Sequence, residues 1–168
     1  YKTLNKDDPR LNCRLKNLEK FSPKRIVLDN KLELNTKSYL FKSADKNNTI
    51  VFYNEGSKSK VSEFKKSKIN LIKSKINKDK KFDINIIMKK LYHLGSRNIL
   101  IEGGNDLTNH LLKKRSFNQF YLFKSLKKLP KLKDYKEFNG LKNLKQSYRN
   151  RIKLKSYFGK DTVVLHKN

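Results

Sequence analysis

The segment ILIEGGNDLTNHLL, residues 99–112, constrains the fold of this chain more than any other stretch. Apolar residues typical of a buried strand run up to Glu102 and are followed directly by Gly103 and Gly104, after which leucines recur at helical spacing. A strand that ends in paired glycines and opens a helix directs backbone N–H groups and the positive end of the helix dipole at one place, which suits a phosphate. The glycines also permit left-handed dihedrals and close backbone approach. Ordinary tight turns have the same composition, so this motif alone leaves both interpretations open.

A second motif lies near the start of the chain, where residues 3–14 read TLNKDDPRLNCR. Because Pro9 disfavours helix at the preceding residue, we expect Asp7 and Asp8 to lie on a loop or turn and not inside an element. The two carboxylates could bind ribose hydroxyls or cap a helix, and Arg14 could hold a phosphate with its planar fork. The alternative is a solvated Asp-Asp-Pro turn beside an exposed arginine.

These stretches, together with a third, resemble a known family. TLNKDDPRLNCR, PKRIVLDNKLEL (residues 23–34) and ILIEGGNDLTNHLL follow the order and spacing of the reductase domain of the bifunctional riboflavin-biosynthesis deaminase/reductase. The family pattern reads T-V-L-x-D-D-P-x-L-x-x-R, then R-I-V-L-D-S, then V-E-G-G-x-x-L, and the closing YFGKDTVVLHKN resembles its last strand. The resemblance covers essentially the whole chain. It implies a three-layer fold like that of dihydrofolate reductase, with a mostly parallel central sheet and an antiparallel C-terminal edge.

The resemblance also implies that residues 1–168 form one reductase domain without its first strand-helix-strand. The deaminase half, with its H-x-E and P-C-x-x-C zinc signature, has no counterpart here. We therefore expect a C-terminal fragment of a longer protein, inactive and poorly folded when expressed alone. Zinc is expected only in the deaminase half, and no metal in this segment.

Site residues follow from the resemblance position by position. Leu11, Arg14 and Glu102 match substrate-binding positions, with Arg14 holding the substrate phosphate. Positions matching contacts to NADP are Thr3, Asp7, Asn30, Gly103, Gly104, Asn105, Asp106, Leu107, Thr108, Asn109 and His110. Asn30 stands where the family usually has Ser. Structural alternatives are a capping Thr3, a turn-forming Asp7 and a Glu102 that only ends a strand, and no catalytic proton donor can be named.

The implied reaction is the NADPH-dependent reduction of 5-amino-6-(5-phosphoribosylamino)uracil to the 5-phosphoribitylamino compound in riboflavin biosynthesis. One alternative is a reductase of the same fold that acts on another pterin or pyrimidine. Another, of a different class, is a basic nucleic-acid-binding module. The expected partner is the phosphorylated ribosylamino-pyrimidine substrate, with no nucleic acid and no membrane, in a cytoplasmic protein that forms homo-oligomers at full length.

The formal net charge of +27 would by itself favour a nucleic-acid or anionic-membrane partner. However, the basic residues are 35 lysines and seven arginines, spread along the whole chain and not gathered in a block. Asn is also frequent, with nineteen residues, whereas Ala44 is the sole alanine. An AT-rich coding sequence accounts for this combination better than a binding function does.

The remaining features indicate little about function. Cys13 is the single cysteine, so neither a disulfide framework nor a thiolate cluster is expected. The three histidines are far apart and have no ligand spacing. No apolar run approaches the length that spans a membrane.

Hydrophobic periodicity predicts alternating strands and helices. Strands are expected at 25–29, 49–53, 69–72, 98–102 and 119–124, with a terminal antiparallel pair at 151–158 and 161–166 around Gly159. Helices are expected at 58–68, at 84–94 between an Asp83 cap and Gly95, and at 106–114, while residues 127–144 form a lysine-rich connection with a short helix at most. The alternation predicts an α/β domain with a mostly parallel sheet and an antiparallel edge.

Overall fold

The computed structural model describes residues 1–127, 138, 140–155 and 159–167, which form two compact units, 1–100 and 101–168. The described helices are α1 Lys2–Asp7, α2 Tyr39–Lys42, α3 Lys58–Lys66, α4 Ile84–His93, α5 Asn105–Lys113 and α6 Leu141–Ser147. A 3-10 turn lies at Glu19–Phe21. The described strands are β1 Arg25–Leu28, β2 Thr49–Tyr53, β3 Asn70–Lys73, β4 Gln119–Lys124, β5 Asn150–Leu154 and β6 Thr162–Lys167.

The first unit is built on a parallel sheet of order β1-β2-β3. In β2, the run Thr49–Tyr53 is buried at its first four positions, as expected for a central strand covered on both faces. Val27 pairs with Val51, and Val51 pairs with Leu71, so three apolar residues lie side by side across the three strands. The predicted strands 25–29, 49–53 and 69–72 are confirmed within one residue at each end.

Helices cover both faces of this sheet. On the side of α2 and α3, one core cluster contains Val27, Leu32, Leu34, Leu40, Phe41, Val51, Phe64 and Ile69. On the side of α4, a second cluster contains Ile50, Phe52, Phe82, Ile87 and Leu91. Neighbouring positions of β2 alternate between the two clusters because successive side chains of a strand point to opposite faces. The expected three layers are therefore present in this unit.

The predicted boundaries of α4 are confirmed by its capping contacts. The side chain of Asp83 accepts a hydrogen bond from the backbone N–H of Asn85 at 2.9 Å, which satisfies one of the helix's first donors. At the other end Gly95 has φ +89° and donates its N–H to the carbonyl of Tyr92 at 2.9 Å. Such a left-handed C-terminal residue favours glycine, because a Cβ is strained there.

The expectation that Asp7 lies on a loop is wrong, because α1 extends through this residue. Asp8 ends the helix in the left-handed conformation, with φ 40° and ψ 52°. The prediction extended the effect of Pro9 one residue too far. Pro9 disfavours the right-handed helical conformation only at Asp8, and Asp7 is free to adopt it.

The second unit contains an antiparallel sheet of order β4-β6-β5. The predicted strand at 119–124 and the terminal antiparallel pair around Gly159, which has φ +63°, are both confirmed in the described residues. Helix α5 begins one residue before its predicted start, and α6 is the short helix expected near the end of the lysine-rich connection. Residues 128–137 and 139 of that connection, and 156–158 of the predicted strand 151–158, lie outside the described residues.

The predicted strand at 98–102 is wrong. These residues belong to no strand of the described sheets, and the side chains of Ile99 and Leu100 are 37% and 81% exposed. Strand composition alone does not make a strand, because the conformation is stabilised by hydrogen bonds to a neighbouring strand. The boundary between the two units also falls within this segment, after Leu100.

Candidate active site

Helix α1 is fixed to the first unit by two polar side chains. Asn5 donates from Nδ2 to the carbonyl oxygen of Glu33 and accepts from the backbone N–H of Asn35, both at 2.8 Å. The Asp8 carboxylate accepts the backbone N–H of Tyr39, at the start of α2, at 2.8 Å. Of the two roles open for Asp8, a ribose contact or a helix cap, the structure therefore shows the cap.

The side of α1 that carries Thr3 and Asp7 is exposed. These two residues are four positions apart in a helix, which places them one above the other on the same face. The structure thus brings together two of the residues predicted to contact the cofactor. A hydroxyl and a carboxylate on one face can together receive the paired hydroxyls of a ribose.

The segment after α1 carries the candidate substrate residues. Leu11 has a left-handed backbone with φ 49°, and its side chain packs, half-buried, against the core cluster beside α2 and α3. Arg14 lies three residues further along and is exposed. Between Asp8 and Leu11, the Arg10 guanidinium carbon lies 5.3 Å from the centroid of the Tyr39 ring. Arg10 therefore makes a second contact with Tyr39 of α2, in addition to that of Asp8, whereas the side chain of Arg14 is exposed to solvent.

The carboxyl end of β1 leads into a tight polar turn. Asp29 is fully buried, and its Oδ2 accepts the backbone N–H of Leu34 at 2.7 Å. The carbonyl of the next residue, Asn30, accepts N–H groups of Asn54 and Glu55 at 3.0 and 2.9 Å, which joins it to the loop after β2. Parallel α/β sheets bind ligands at this edge of the strands.

Asn30 also presents an atom whose hydrogen bonding is incomplete. Its Oδ1 is shielded from solvent and has no hydrogen-bond partner within the part of the chain that the structure describes. Buried polar atoms are nearly always paired, so such an atom is a candidate ligand contact. The resemblance implies a cofactor contact for Asn30, and its Oδ1 is a hydrogen-bond acceptor.

The remaining candidate residues belong to the second unit and surround the start of α5. Neither Gly103 nor Gly104 has a positive φ, so this turn does not use the left-handed dihedrals that glycine permits. Close packing favours glycine at 103 instead, since a Cβ there would lie 3.0 Å from Cδ2 of Leu107. Gly104 is the N-cap and has no side chain to accept the N–H groups of the first turn. This helix start is therefore compatible with an anionic ligand.

Several predicted cofactor residues of α5 make contacts inside the unit. The hydroxyl of Thr108 donates to the carbonyl of Gly103 at 3.1 Å, and Nδ2 of Asn109 donates to Oδ1 of Asn105 at 2.8 Å. Leu111 and Leu112 are buried and anchor the helix. The exposed side chains at this end are those of Glu102 and Asp106, while His110 is half-buried.

Sequence reasoning missed Asn5 and Asp29. Asn5 is an unremarkable polar residue in the sequence, and its role appears only when residues 33–35 lie beside α1. Asp29 had a usable signal, because a carboxylate directly after a buried strand is placed to accept N–H groups of the following turn. Among the described residues, no three His, Cys, Asp or Glu side chains cluster in a way that could hold a metal ion. No described helix has the length and apolar character needed to cross a membrane.

Comparison with known proteins gives consistent matches. Over 165 residues the chain is 26% identical to the riboflavin biosynthesis protein RibD of Aquifex aeolicus (strain VF5), covering 98% of this chain and 44% of that protein. Two structures of Acinetobacter baumannii RibD, form 2 and form 1, match with TM-scores of 0.69 and 0.68 at 16% identity. They cover 99% and 98% of this chain and 44% of each of those chains. The chain thus spans less than half the length of these relatives.

The structural matches confirm the fold, a mixed α/β architecture of the dihydrofolate-reductase-like type. The family is shown separately, by a model of the RibD C-terminal domain that matches residues 1–125. That range contains all three motifs and every candidate site residue. The chain therefore belongs to the RibD C-terminal domain family.

Proposed function

We propose that this protein is an NADPH-dependent reductase of riboflavin biosynthesis. Its substrate is 5-amino-6-(5-phosphoribosylamino)uracil and its product the 5-phosphoribitylamino compound. The observation that carries the proposal is the family match over residues 1–125, because it includes all the positions assigned to cofactor and substrate. The A. aeolicus relative is a riboflavin biosynthesis protein by its name, which supports the same pathway.

The residues of the first unit fit a dinucleotide cofactor. Thr3 and Asp7 present a hydroxyl and a carboxylate on one exposed face of α1. The Oδ1 of Asn30, which has no hydrogen-bond partner among the described residues, follows the carboxyl end of β1 in the parallel sheet. These groups can hold ribose hydroxyls, which both donate and accept hydrogen bonds.

The second unit supplies chemistry suited to the phosphates. The N-cap residue Gly104 leaves the first turn of α5 without a side-chain cap, and the helix dipole favours a negative charge there. Gly103 allows the chain to pass close to Leu107. These features support pyrophosphate binding at Gly103–His110.

Substrate recognition is assigned to Leu11, Arg14 and Glu102. An exposed guanidinium such as that of Arg14 can hold a phosphate through two parallel hydrogen bonds. The Glu102 carboxylate can accept hydrogen bonds from N–H groups of the pyrimidine or hydroxyls of the sugar. Half-buried Leu11 offers an apolar contact three positions before Arg14 in the chain.

Bound NADPH supplies the hydride that reduces C1 of the ribosyl group. The side chains of this chain bind and orient the two reactants, which is the protein's usual contribution to cofactor chemistry. In this proposal Arg14 binds the phosphate of the substrate, and Glu102 accepts hydrogen bonds from its polar groups. Orientation of this kind converts an encounter into a reaction within one complex.

The test uses the protein produced from its complete coding sequence. NADPH affinity is measured by fluorescence titration, and NADPH oxidation is followed by absorbance with and without the ribosylaminouracil phosphate. We expect oxidation only when the substrate is present. A folded protein that neither binds nor oxidises NADPH would refute the proposal.

A nucleic-acid titration at several salt concentrations serves as the control for the basic composition. Tight binding to DNA or RNA that weakens steeply with salt, without affinity for NADPH, would favour a basic binding module instead.

A further inference from the structure

We propose that Asn5 and Asp8 are positioning residues for the cofactor, holding α1 so that Thr3 and Asp7 present one binding face. This inference rests on the proposed function and extends it to residues that make no contact with the cofactor themselves. Four contacts within the first unit carry it.

Helix α1 cannot be stable by itself. It has six residues, its N-cap side chain makes no capping hydrogen bond, and its first turn contains no acidic residue. Isolated helices shorter than about 12–15 residues are marginal in water. The helical conformation of α1 therefore depends on contacts with the rest of the unit.

One set of contacts comes from Asn5, which lies midway between Thr3 and Asp7 in the sequence and therefore on the opposite side of the helix. Asn5 uses both ends of its amide, one on the carbonyl of Glu33 and one on the N–H of Asn35. Such a bidentate contact fixes both the height and the rotation of the helix against this loop.

Asp8 secures the end of α1. Its carboxylate holds the first N–H of α2, at Tyr39, while its backbone adopts the left-handed conformation that ends α1. Non-glycine residues adopt this conformation at a cost and persist in it where the surroundings fix them. Just after the end of α1, the Arg10 guanidinium lies over the Tyr39 ring and makes a further contact with α2.

The consequence concerns the shared face of Thr3 and Asp7. Two side chains four residues apart converge only while the backbone between them is helical. If α1 frays, the cofactor must reform the helix before it can use both groups, and this ordering lowers the measured affinity.

The test compares variants of the protein made from its complete coding sequence. For Asp8→Ala we expect the KM for NADPH to rise about tenfold, since loss of a charge-assisted hydrogen bond shifts the docking equilibrium by roughly that factor. The kcat at saturating NADPH should change little. Asp8→Asn keeps an oxygen that can accept the Tyr39 N–H, so it should restore most of the affinity. Asn5→Ala should raise the KM in the same way.

Asp83→Ala is the matched control. Asp83 also accepts a backbone N–H at a helix start in this unit, but it caps α4. We expect this variant to lose stability comparably to Asp8→Ala while it keeps the wild-type KM for NADPH. Amide hydrogen exchange without NADPH should be faster in α1 for Asp8→Ala and unchanged there for Asp83→Ala.

The outcomes separate this inference from the proposed function. A folded wild-type protein that binds no NADPH would overturn both. Wild-type binding of NADPH that is unchanged in both Asp8→Ala and Asn5→Ala would overturn the positioning role and leave the reductase proposal intact. An equal rise of KM in Asp83→Ala would also overturn it, because the effect would then follow from general destabilisation.

Discussion

The carboxylate of Asp29 accepts the backbone N–H of Leu34 at 2.7 Å, inside a turn where Asp29 itself is fully buried. In Asp29→Ala the Leu34 N–H loses its partner while it stays buried. We expect a loss of about 1–3 kcal/mol in the free energy of unfolding, measured by urea denaturation. The exposed Asp79 offers a control, since Asp79→Ala should change stability by less than about 0.5 kcal/mol. Equal stability of the two variants would contradict a structural role for this carboxylate.

Arg25 joins the start of β1 to its surroundings. Its guanidinium donates to the hydroxyl and carbonyl of Ser43, to Oδ1 of Asn48 and to the hydroxyl of Thr49, at 2.8–2.9 Å. Burial lowers the pKa of Arg25 from its ordinary value, yet an arginine side chain remains charged at any pH that proteins tolerate. Arg25→Met should therefore cost about 2–4 kcal/mol of unfolding free energy, because it removes hydrogen bonds to buried and half-buried acceptors of Ser43, Asn48 and Thr49.

The control for this prediction is Arg97, whose exposed guanidinium stacks on Tyr92 at 4.4 Å. Arg97→Met should cost less than about 1 kcal/mol. If Arg25→Met were as mild as Arg97→Met in the same denaturation assay, the hydrogen bonds of Arg25 would not contribute to stability.

Gly103 lies in close contact with Leu107. In Gly103→Ala the new Cβ would meet Cδ2 of Leu107 at 3.0 Å, which is closer than ordinary van der Waals contact. We expect Gly103→Ala to lose about 1–2 kcal/mol of stability through overpacking and to bind NADPH more weakly. A double-mutant cycle with Leu107→Ala measures the coupling. Leu107→Ala removes Cδ2 and Cγ but keeps a Cβ 3.2 Å from the added methyl, so the penalty of Gly103→Ala should fall in that background without vanishing. Additive effects would show that the Leu107 side chain beyond Cβ is not its cause.

Arg14 distinguishes the phosphorylated substrate from other pterins and pyrimidines. Arg14→Ala should raise the substrate KM by an amount equivalent to about 2–3 kcal/mol, while affinity for NADPH stays nearly constant. Arg10→Ala removes a nearby guanidinium that stacks on Tyr39 and should leave the substrate KM much closer to wild type. An unchanged KM in Arg14→Ala would indicate a substrate without phosphate.

The elements predicted well from sequence are those whose pattern and boundaries are both local. The apolar run of β2 gives its exact bounds, and α4 combines helical spacing with Asp83 at one end and Gly95 at the other. Segment 98–102 has the composition of a strand but no pairing partner within the described sheets, and pairing is not a local property. The helix α1 was not predicted because its stability is also not a local property. Contacts to residues about thirty positions away stabilise a segment that is too short to be helical alone.

The candidate site follows the same division. The sequence motifs and the family resemblance name Thr3, Asp7 and Asn30, but not the reason why the first two lie together. That reason is the helical conformation of α1, which extends through Asp7 because Pro9 restricts only Asp8. The surroundings of the Asn30 side chain, whose Oδ1 finds no hydrogen-bond partner in the described part of the chain, likewise depend on contacts between the turn after β1 and the loop after β2, which are distant in sequence.

The parallel sheet of the first unit has a consequence for the order in which the chain folds. Arg25 pairs with Thr49 and Ile50 with Asn70, so each pairing closes a loop of about twenty residues before any strand contact forms. In the second unit Leu154 pairs with Val163, across a connection less than half as long. Because folding rates fall as contacting residues become more distant in sequence, the C-terminal hairpin can form early while the parallel sheet assembles slowly. Until the sheet is complete, the apolar runs at β1 and β2 are exposed and can aggregate. During this period, repulsion between the highly charged chains is the main protection against aggregation.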